Sequence, residues 1–195
     1  MQIDARGKAC PQPVMLAKKE IDGGCSDLTV LVDNRAAVEN LTRLGNAAGM
    51  DVSAGENADG YFVRLTGEGK IEQDPVIACP AGENGYAVFI GKDVLGAGDP
   101  TLGSNLLKMA LYTLAQGESL PAYILFMNDG VKLPAGDDAQ VIDSIAALIR
   151  RGCIALVCGT CLNYYGLTES LKTGTVSNMY DMLGAMQRVD KVISL

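Results

Sequence analysis

The 195-residue chain contains no histidine. Without it, no histidine general base, Cys–His pair, Ser–His–Asp triad or histidine-ligated metal can form within one chain. Proton chemistry falls to Asp, Glu, Lys, Tyr, Cys or water. Positive charge is also in short supply: 16 Lys and Arg face 23 Asp and Glu, for a net charge of −7. That balance disfavours a nucleic-acid or anionic membrane surface, although a local basic patch is compatible with it. No apolar run approaches the roughly 20 residues of a membrane helix. The segment Met1-Gln2-Ile3-Asp4-Ala5-Arg6-Gly7 carries charges where a secretory leader requires apolar residues, so the expectation is a cytoplasmic protein with no membrane partner.

What is present is an ordinary globular composition, 48% hydrophobic and 20% charged, long enough for one medium domain or two small ones. The cysteines are Cys10, Cys25, Cys79, Cys153, Cys158 and Cys161. In a reducing compartment they are thiols with structural, redox or nucleophilic roles.

The chain changes character partway along. Residues 1–70 alternate short strand and helix patterns. Leu28–Val32 and Tyr61–Thr66 read as strands, the latter with Tyr61, Val63 and Leu65 on one face. Ala37, Leu41, Leu44 and Ala48 form the stripe of a helix packed on a sheet, with Asp33-Asn34 as its cap. Pro13–Ile21 forms an earlier helix stopped by Gly23-Gly24. The order strand, helix, strand, helix, strand, strand predicts a two-layer α+β domain. Residues 71–85, with Pro75, Pro80 and a glycine-rich end, read as a linker in which Val76-Ile77-Ala78 could dock on either side.

From Tyr86 to the end, Tyr86–Ile90, Ala122–Phe126 and Cys153–Val157 are almost continuously apolar. Strands covered on both faces need that pattern, which points to a parallel sheet. Helices separate them. One starts at Asp99-Pro100 and carries Leu102, Leu106, Met109 and Ala110 on one face, with further apolar residues (Leu107, Leu111) around it, as subunit contact or deep burial would require. Another carries Val141, Ile145, Leu148 and Ile149 and ends at Arg150-Arg151-Gly152. A last one holds Met179, Met182, Leu183 and Met186 and leads into Lys191-Val192-Ile193. The expectation for 86–195 is an open α/β sheet of four or five strands.

Cys10-Pro11-Gln12-Pro13 stands immediately before the first helix. A cysteine there faces the unpaired N–H groups and positive dipole end of the helix start, which favour thiolate over thiol, and Lys8 adds charge. The plainer reading is a small buried hydrophobe at a strand–helix junction. Asp4-Ala5-Arg6-Gly7 followed by Cys10-Pro11-Gln12-Pro13-Val14 resembles the signature of the TusA/SirA family of small two-layer α+β sulfur carriers. The resemblance covers roughly residues 1–70 and implies that Cys10 accepts a sulfane sulfur as a persulfide. Cys79-Pro80 lacks a following apolar helix and reads as linker. Cys25, after two glycines, reads as incidental.

Cys158-Gly159-Thr160-Cys161 follows the third apolar run of the second half, at the carboxyl end of a parallel strand, where open α/β sheets bind ligands. The loops Gly91–Asp99 and Met127–Val131 leave the other strands at the same edge, and Asn163, Tyr164 and Tyr165 could line a shallow pocket there, with Cys158 or Cys161 as the reactive member. Other readings are half of a zinc site, for which no second pair exists at matching spacing, a thioredoxin-like redox pair, and a purely structural pair. Gly96-Ala97-Gly98 fits neither a dinucleotide nor a Walker loop. No metal and no cofactor are expected. Residues 86–195 resemble the DsrE/DsrF-like family, which implies a Rossmann-like fold, sulfur relay and frequent oligomers. The two resemblances together are similar to the YedF family in its two-domain form, associated with selenium metabolism; Phe126–Leu133, Cys158–Leu162 and Ser177–Asp181 carry it.

The expected function is a sulfur or selenium carrier with catalytic Cys10, Cys158 and Cys161. Its implied partners are a persulfide donor such as a cysteine desulfurase, a downstream acceptor protein, and a second copy of the chain bound through the second domain. A flexible segment over 68–84 has an r.m.s. reach of about 20–25 Å, which permits exchange between the two sites. The alternatives are a non-catalytic oligomeric regulatory module, and a thiol–disulfide redox protein using the Cys-x-x-Cys pair.

Overall fold

The structure is a computed structural model that describes residues 1–57, 59–69 and 85–195. It divides into two compact units. Cys79 and nearly all of the expected linker 71–85, including Val76-Ile77-Ala78, lie outside the described residues.

The first unit runs β1 (Gln2–Asp4), α1 (Gln12–Asp22), β2 (Asp27–Val32), α2 (Arg35–Ala47), β3 (Asp51–Asn57) and β4 (Gly60–Thr66). The strands lie in the order β1-β2-β4-β3, with β1 parallel to β2 and the other pairs antiparallel. Both helices pack one apolar stripe on this sheet. Val14, Ala17 and Ile21 of α1 and Leu41 and Leu44 of α2 meet Leu28, Val30, Val32, Val63 and Leu65 in one buried cluster. The period-2 alternation of β2 follows directly, because its other face lies opposite the helices. Asn34 caps α2 by accepting the Ala37 N–H at 2.9 Å.

The second unit runs β5 (Tyr86–Ile90), α3 (Pro100–Gln116), β6 (Tyr123–Phe126), a 3-10 turn (Asn128–Val131), α4 (Lys132–Ala135), α5 (Ala139–Arg150), β7 (Ile154–Cys158), α6 (Gly159–Tyr164), a second 3-10 turn (Thr168–Ser170), β8 (Thr175–Ser177), α7 (Met179–Gln187) and β9 (Lys191–Ser194). Its five strands lie in the order β8-β7-β6-β5-β9, and every pair is parallel. All four residues of the central β6 are buried, the covering on both faces that its unbroken apolar sequence predicts. Because the strands are parallel, the loops after β5, β6 and β7 leave from one edge.

Helix α3 carries apolar residues on more than one face, as its sequence suggests. Asp99 caps the helix, accepting the Leu102 N–H at 2.9 Å, and the stripe turned to the sheet is Gly103, Leu107, Leu111 and Ala115. Leu102, Leu106 and Met109 point outward, and Ala110 is half-buried. The reason is steric. The helix approaches the preceding loop so closely that a Cβ on Gly103 would stand 2.8 Å from the Leu95 carbonyl oxygen, so the smallest residue must face inward. On α5 the stripe is as expected for Val141, Ile145 and Leu148, with Ile149 at its exposed margin. Met182 of α7 is buried, while Met179 and Leu183 are exposed. Among the described residues no helix is long and apolar enough to cross a membrane.

Candidate functional site

The segment from β1 to α1 is built by backbone fastening. The Ala5 N–H donates to the Leu31 carbonyl at 2.9 Å, continuing the β1–β2 pairing by one residue. Gly7 then turns the chain in the left-handed region, at φ 71°. Its N–H donates to the Asp33 carboxylate at 2.7 Å, and this bond, with a second from Asn34, holds the Asp33 carboxyl below the usual carboxylate range. Arg6 folds back on Asp4 through two hydrogen bonds of 2.9 and 2.6 Å. The Asp4 carboxyl is held down at about 2, first by those bonds and then by the Arg6 backbone N–H. The motif Asp4-Ala5-Arg6-Gly7 is thus a self-bonded turn delivering the chain to Cys10.

Cys10 is half-exposed. The Cys10–Pro11 peptide bond is cis, Pro11 occupies the cap position of α1, and Pro13 lies in its first turn and is buried. No side chain caps this helix start and no carboxylate stands in its first turn, so nothing on α1 offsets the positive end of its dipole beside Cys10. Cys25 is half-buried against the core, and its thiol contacts the Asp27 carbonyl oxygen at 3.5 Å, a structural placement.

In the second unit the three edge loops are joined to one another. The Met127 N–H donates to the Ile90 carbonyl at 3.0 Å, which docks the loop after β6 on the end of β5. The approach is so close that a Cβ on Gly130 would sit 2.3 Å from the Ile90 carbonyl oxygen. The next amide, that of Asn128, donates to Cys161 Sγ at 3.2 Å. The Lys132 ammonium bonds Asp129 at 2.6 Å, pairs with Asp93 at 3.7 Å and stands 4.7 Å from the centre of the Tyr165 ring. Its charge holds Asp129 below the ordinary carboxylate range, with Tyr165 adding to the effect. Asp129 in turn keeps the Tyr165 phenol protonated to higher pH, and that hydroxyl donates to Asn128 Oδ1 at 3.3 Å.

Cys158 and Cys161 therefore differ. Cys158 ends β7, occupies the cap position of α6 and is buried; Cys161 lies in the first turn of α6 and is half-exposed. Neither is in a disulfide. Of the three residues expected around them, Tyr165 meets the site, Tyr164 stacks edge-on against Tyr165 but is mainly solvent-exposed, and Asn163 is exposed. Asn128, Asp129 and Lys132 are part of the arrangement that spacing alone did not single out. The signal was available at Asn128-Asp129-Gly130, a turn sequence tolerant of left-handed backbone at the carboxyl end of a strand. Among the described residues no three acidic or thiol side chains converge as a metal site.

The architecture is a two-layer α+β unit followed by a Rossmann-like α/β unit, each presenting one half-exposed thiol at the start of a helix. Residues 1–67 match the family model described as sulfurtransferase TusA, and residues 94–195 match that of the DsrE/DsrF-like family. The chain belongs to the DsrE/DsrF-like family, with the stretch matched to TusA ahead of its DsrE-like domain. These are sulfur-relay families that work with partner proteins, which places the chain among sulfur-transfer proteins.

A solved SirA-like protein from Desulfitobacterium hafniense is similar at 35% identity, covering 33% of this chain and 92% of its own, with a TM-score of 0.30. The ychN protein from E. coli is similar at 15% identity over 57% of this chain and 99% of its own, with a TM-score of 0.40. A conserved protein of unknown function from Bacteroides thetaiotaomicron is similar at 21% identity over 56% of this chain and 94% of its own, with a TM-score of 0.41. No curated protein matches the chain.

Proposed function

We propose that the chain is a cytoplasmic persulfide carrier that takes sulfur, or selenium in its place, on Cys10 of a domain spanning 1–70 and passes it to Cys161 of a domain spanning 86–195. The observation that carries the reading is Cys10 itself, half-exposed at an uncapped helix start with no carboxylate in the first turn, inside the stretch matched to sulfurtransferase TusA. A thiolate there needs no general base to react, in keeping with a chain without histidine.

The steps balance as thiol exchange. The Cys10 thiolate attacks the outer sulfur of a donor persulfide, such as that of a cysteine desulfurase. The donor's S–S bond breaks, its cysteine leaves as thiolate, and Cys10 holds the persulfide. The Cys161 thiolate takes the same sulfur in a second identical exchange. For release, the Cys158 thiolate attacks the inner sulfur of the Cys161 persulfide, one residue triplet along α6. Hydrosulfide leaves with the electron pair, and a Cys158–Cys161 disulfide forms, to be reduced by a cellular dithiol. An acceptor protein that attacks the outer sulfur directly bypasses this last step and leaves the pair reduced.

A second copy of the chain is the further partner proposed. Leu102, Leu106, Met109 and Tyr112 are spaced at i, i+4, i+7 and i+10 on α3 and are 58%, 38%, 63% and 51% exposed. An apolar stripe of this kind on an amphipathic helix suits subunit contact.

The test is loading by a cysteine desulfurase with free cysteine, followed by intact-mass measurement. Wild type gains the mass of one or more sulfur atoms, and Cys10→Ala gains none. Cys161→Ala loads at Cys10 and discharges more slowly to an acceptor thiol. Loading that is unchanged in Cys10→Ala removes the carrier reading, and unchanged discharge in Cys161→Ala removes the relay.

A further inference from the structure

Asn128 is the sole non-glycine residue with positive φ among the described residues, at 47°. This backbone region is sparsely populated by L-residues, with Asn among those that tolerate it best. Here it occurs at one residue of one loop, and the consequence is directional. With Met127 fixed to Ile90 by its own N–H, the peptide plane between 127 and 128 aims the Asn128 amide at Cys161 Sγ, 3.2 Å away, and the left-handed turn at 128 lets the chain bend on from that plane toward Gly130. The side chain of the same residue is held from the other side by the Tyr165 hydroxyl. Tyr165 is in turn braced by the Lys132 ammonium near its ring, and Lys132 by Asp129 and Asp93.

We propose that Asn128 is a positioning residue for the Cys161 sulfur: its left-handed backbone lets the chain turn while its own amide stays on that sulfur, a donor that favours the anionic forms of the sulfur, as thiolate before loading and as the departing thiolate when an acceptor takes the outer sulfur. The inference rests on the reading of Cys161 as the second relay thiol and adds how that sulfur is made reactive without an imidazole. Cys158, three residues earlier, is buried and ends β7. The two cysteines of the pair therefore have distinct roles: Cys161 receives and Cys158 resolves. A backbone N–H suits sulfur chemistry of this kind, because hydrogen bonds to an ionised acceptor are about twice as strong as neutral ones. The donor also cannot be lost by deprotonation.

The experiment reads the alkylation rate of Cys161 in the full chain at neutral pH, by mass spectrometry of the Cys161 peptide after timed iodoacetamide exposure. Asn128→Ala disfavours the left-handed backbone, and its Cys161 is expected to react roughly tenfold more slowly. Asn128→Gly keeps the amide and adopts positive φ freely, so its rate is expected to stay within about threefold of wild type. Rescue by glycine separates amide placement from a side-chain or packing role. An Ala variant as fast as wild type, or a Gly variant as slow as Ala, overturns the proposal. A second reading needs no change at residue 128: in protein labelled with 15N-asparagine, the Asn128 amide proton is expected to move upfield in Cys161→Ala, and an unmoved resonance overturns the proposal even if Asn128→Ala does not fold. Failure of the relay is seen separately, in the sulfur-transfer assay, and leaves the alkylation contrast intact.

Discussion

The Gly7 N–H donates to the Asp33 carboxylate at 2.7 Å, so the turn ahead of Cys10 is tied to the end of β2 by a bond across 26 residues of sequence. Asp33 is exposed, so solvent screens part of the interaction, and Asp33→Ala is expected to lower stability by only about 0.5–1 kcal/mol at neutral pH. The larger effect is expected on the proposed loading of Cys10, which slows because the turn that presents this residue loosens. The pH dependence has a definite sign. A carboxyl held below its ordinary value contributes stability that is fully present above the unfolded value near 3.9 and is lost as pH falls through the folded one. Urea unfolding at neutral pH and below about pH 3 checks this: the difference between wild type and Asp33→Ala shrinks in acid. A difference of equal size at both pH values contradicts the assignment.

Asp4 offers a more direct titration. Its carboxyl is held down at about 2 by the Arg6 side-chain bonds, then by the Arg6 backbone N–H. Arg6→Ala removes the first cause and keeps the second, so the Asp4 resonance in a carboxyl-detected NMR titration is expected to move up from about 2 toward its ordinary 3.8 without fully reaching it. Whatever the pair contributes to the folded state is present above the ordinary value and disappears as pH falls through about 2. A midpoint unmoved by Arg6→Ala removes this pair as the cause.

The elements with strong periodicity were legible. The stripe Ala37, Leu41, Leu44 and Ala48 is the buried face of α2, and the continuous apolar runs became the parallel strands β5, β6 and β7, because burial on both faces leaves no other composition. The expected order already counts two strands after α2, as found, but the bounds of the short or solvent-facing elements were not legible. β3 carries mainly exposed residues and so lacks alternation, while β8 is three residues long and held by pairing with β7. Which face of α3 turns to the sheet was not legible: both faces carry leucines, and the choice is made by the small residue Gly103 against the Leu95 carbonyl, a tertiary contact that periodicity does not record. The placement of Cys10 just before α1 and of Cys158 and Cys161 at the β7–α6 junction was legible from spacing. The bond from Asn128 to Cys161 joins residues 33 apart in sequence and depends on the register of β6 beside β7.

The thiols are ranked by their surroundings. Burial pushes the Cys153 thiol up to about 12, and Cys158 is also buried, whereas Cys10, Cys25 and Cys161 are half-exposed. Timed alkylation of the native chain at mildly alkaline pH is expected to label Cys10, Cys25 and Cys161, with Cys153 and Cys158 reacting only after denaturation. Early native labelling of Cys153 would contradict the packing of β7. Rapid native labelling of Cys158 would reverse the roles given to the pair.

Gly130 tests how far the second site depends on one close approach. Its position leaves 2.3 Å between an added Cβ and the Ile90 carbonyl oxygen, and the obstacle is backbone at the end of β5, an interior strand of the sheet, which cannot swing aside. Gly130→Ala is expected to cost about 1–3 kcal/mol through forced backbone movement. Because the same turn carries Asn128 and Asp129, the variant is also expected to slow Cys161 alkylation while leaving Cys10 loading unchanged. Thermal unfolding and residue-resolved alkylation measure the two effects. A variant with wild-type stability shows that the loop can shift without loss.

The exposed stripe on α3 distinguishes a self-associating chain from a lone carrier. Leu102, Leu106, Met109 and Tyr112 contribute little to the core of their own unit, because the buried face of the helix is Gly103, Leu107, Leu111 and Ala115. Replacing Leu106 and Met109 together by Asp therefore changes the stability of an isolated chain by only about 0.5 kcal/mol per surface site. At an apolar subunit contact the same change buries two unpaired charges, each costing several kcal/mol, and association fails. Sedimentation equilibrium of wild type and the double variant separates the cases: an oligomer is expected for the first and a monomer for the second, with both retaining desulfurase loading at Cys10. A wild type that sediments as a monomer, or a variant of undiminished mass, removes α3 as the subunit contact. The loading measurement is independent of it, since Cys10 lies in the first unit and the stripe in the second.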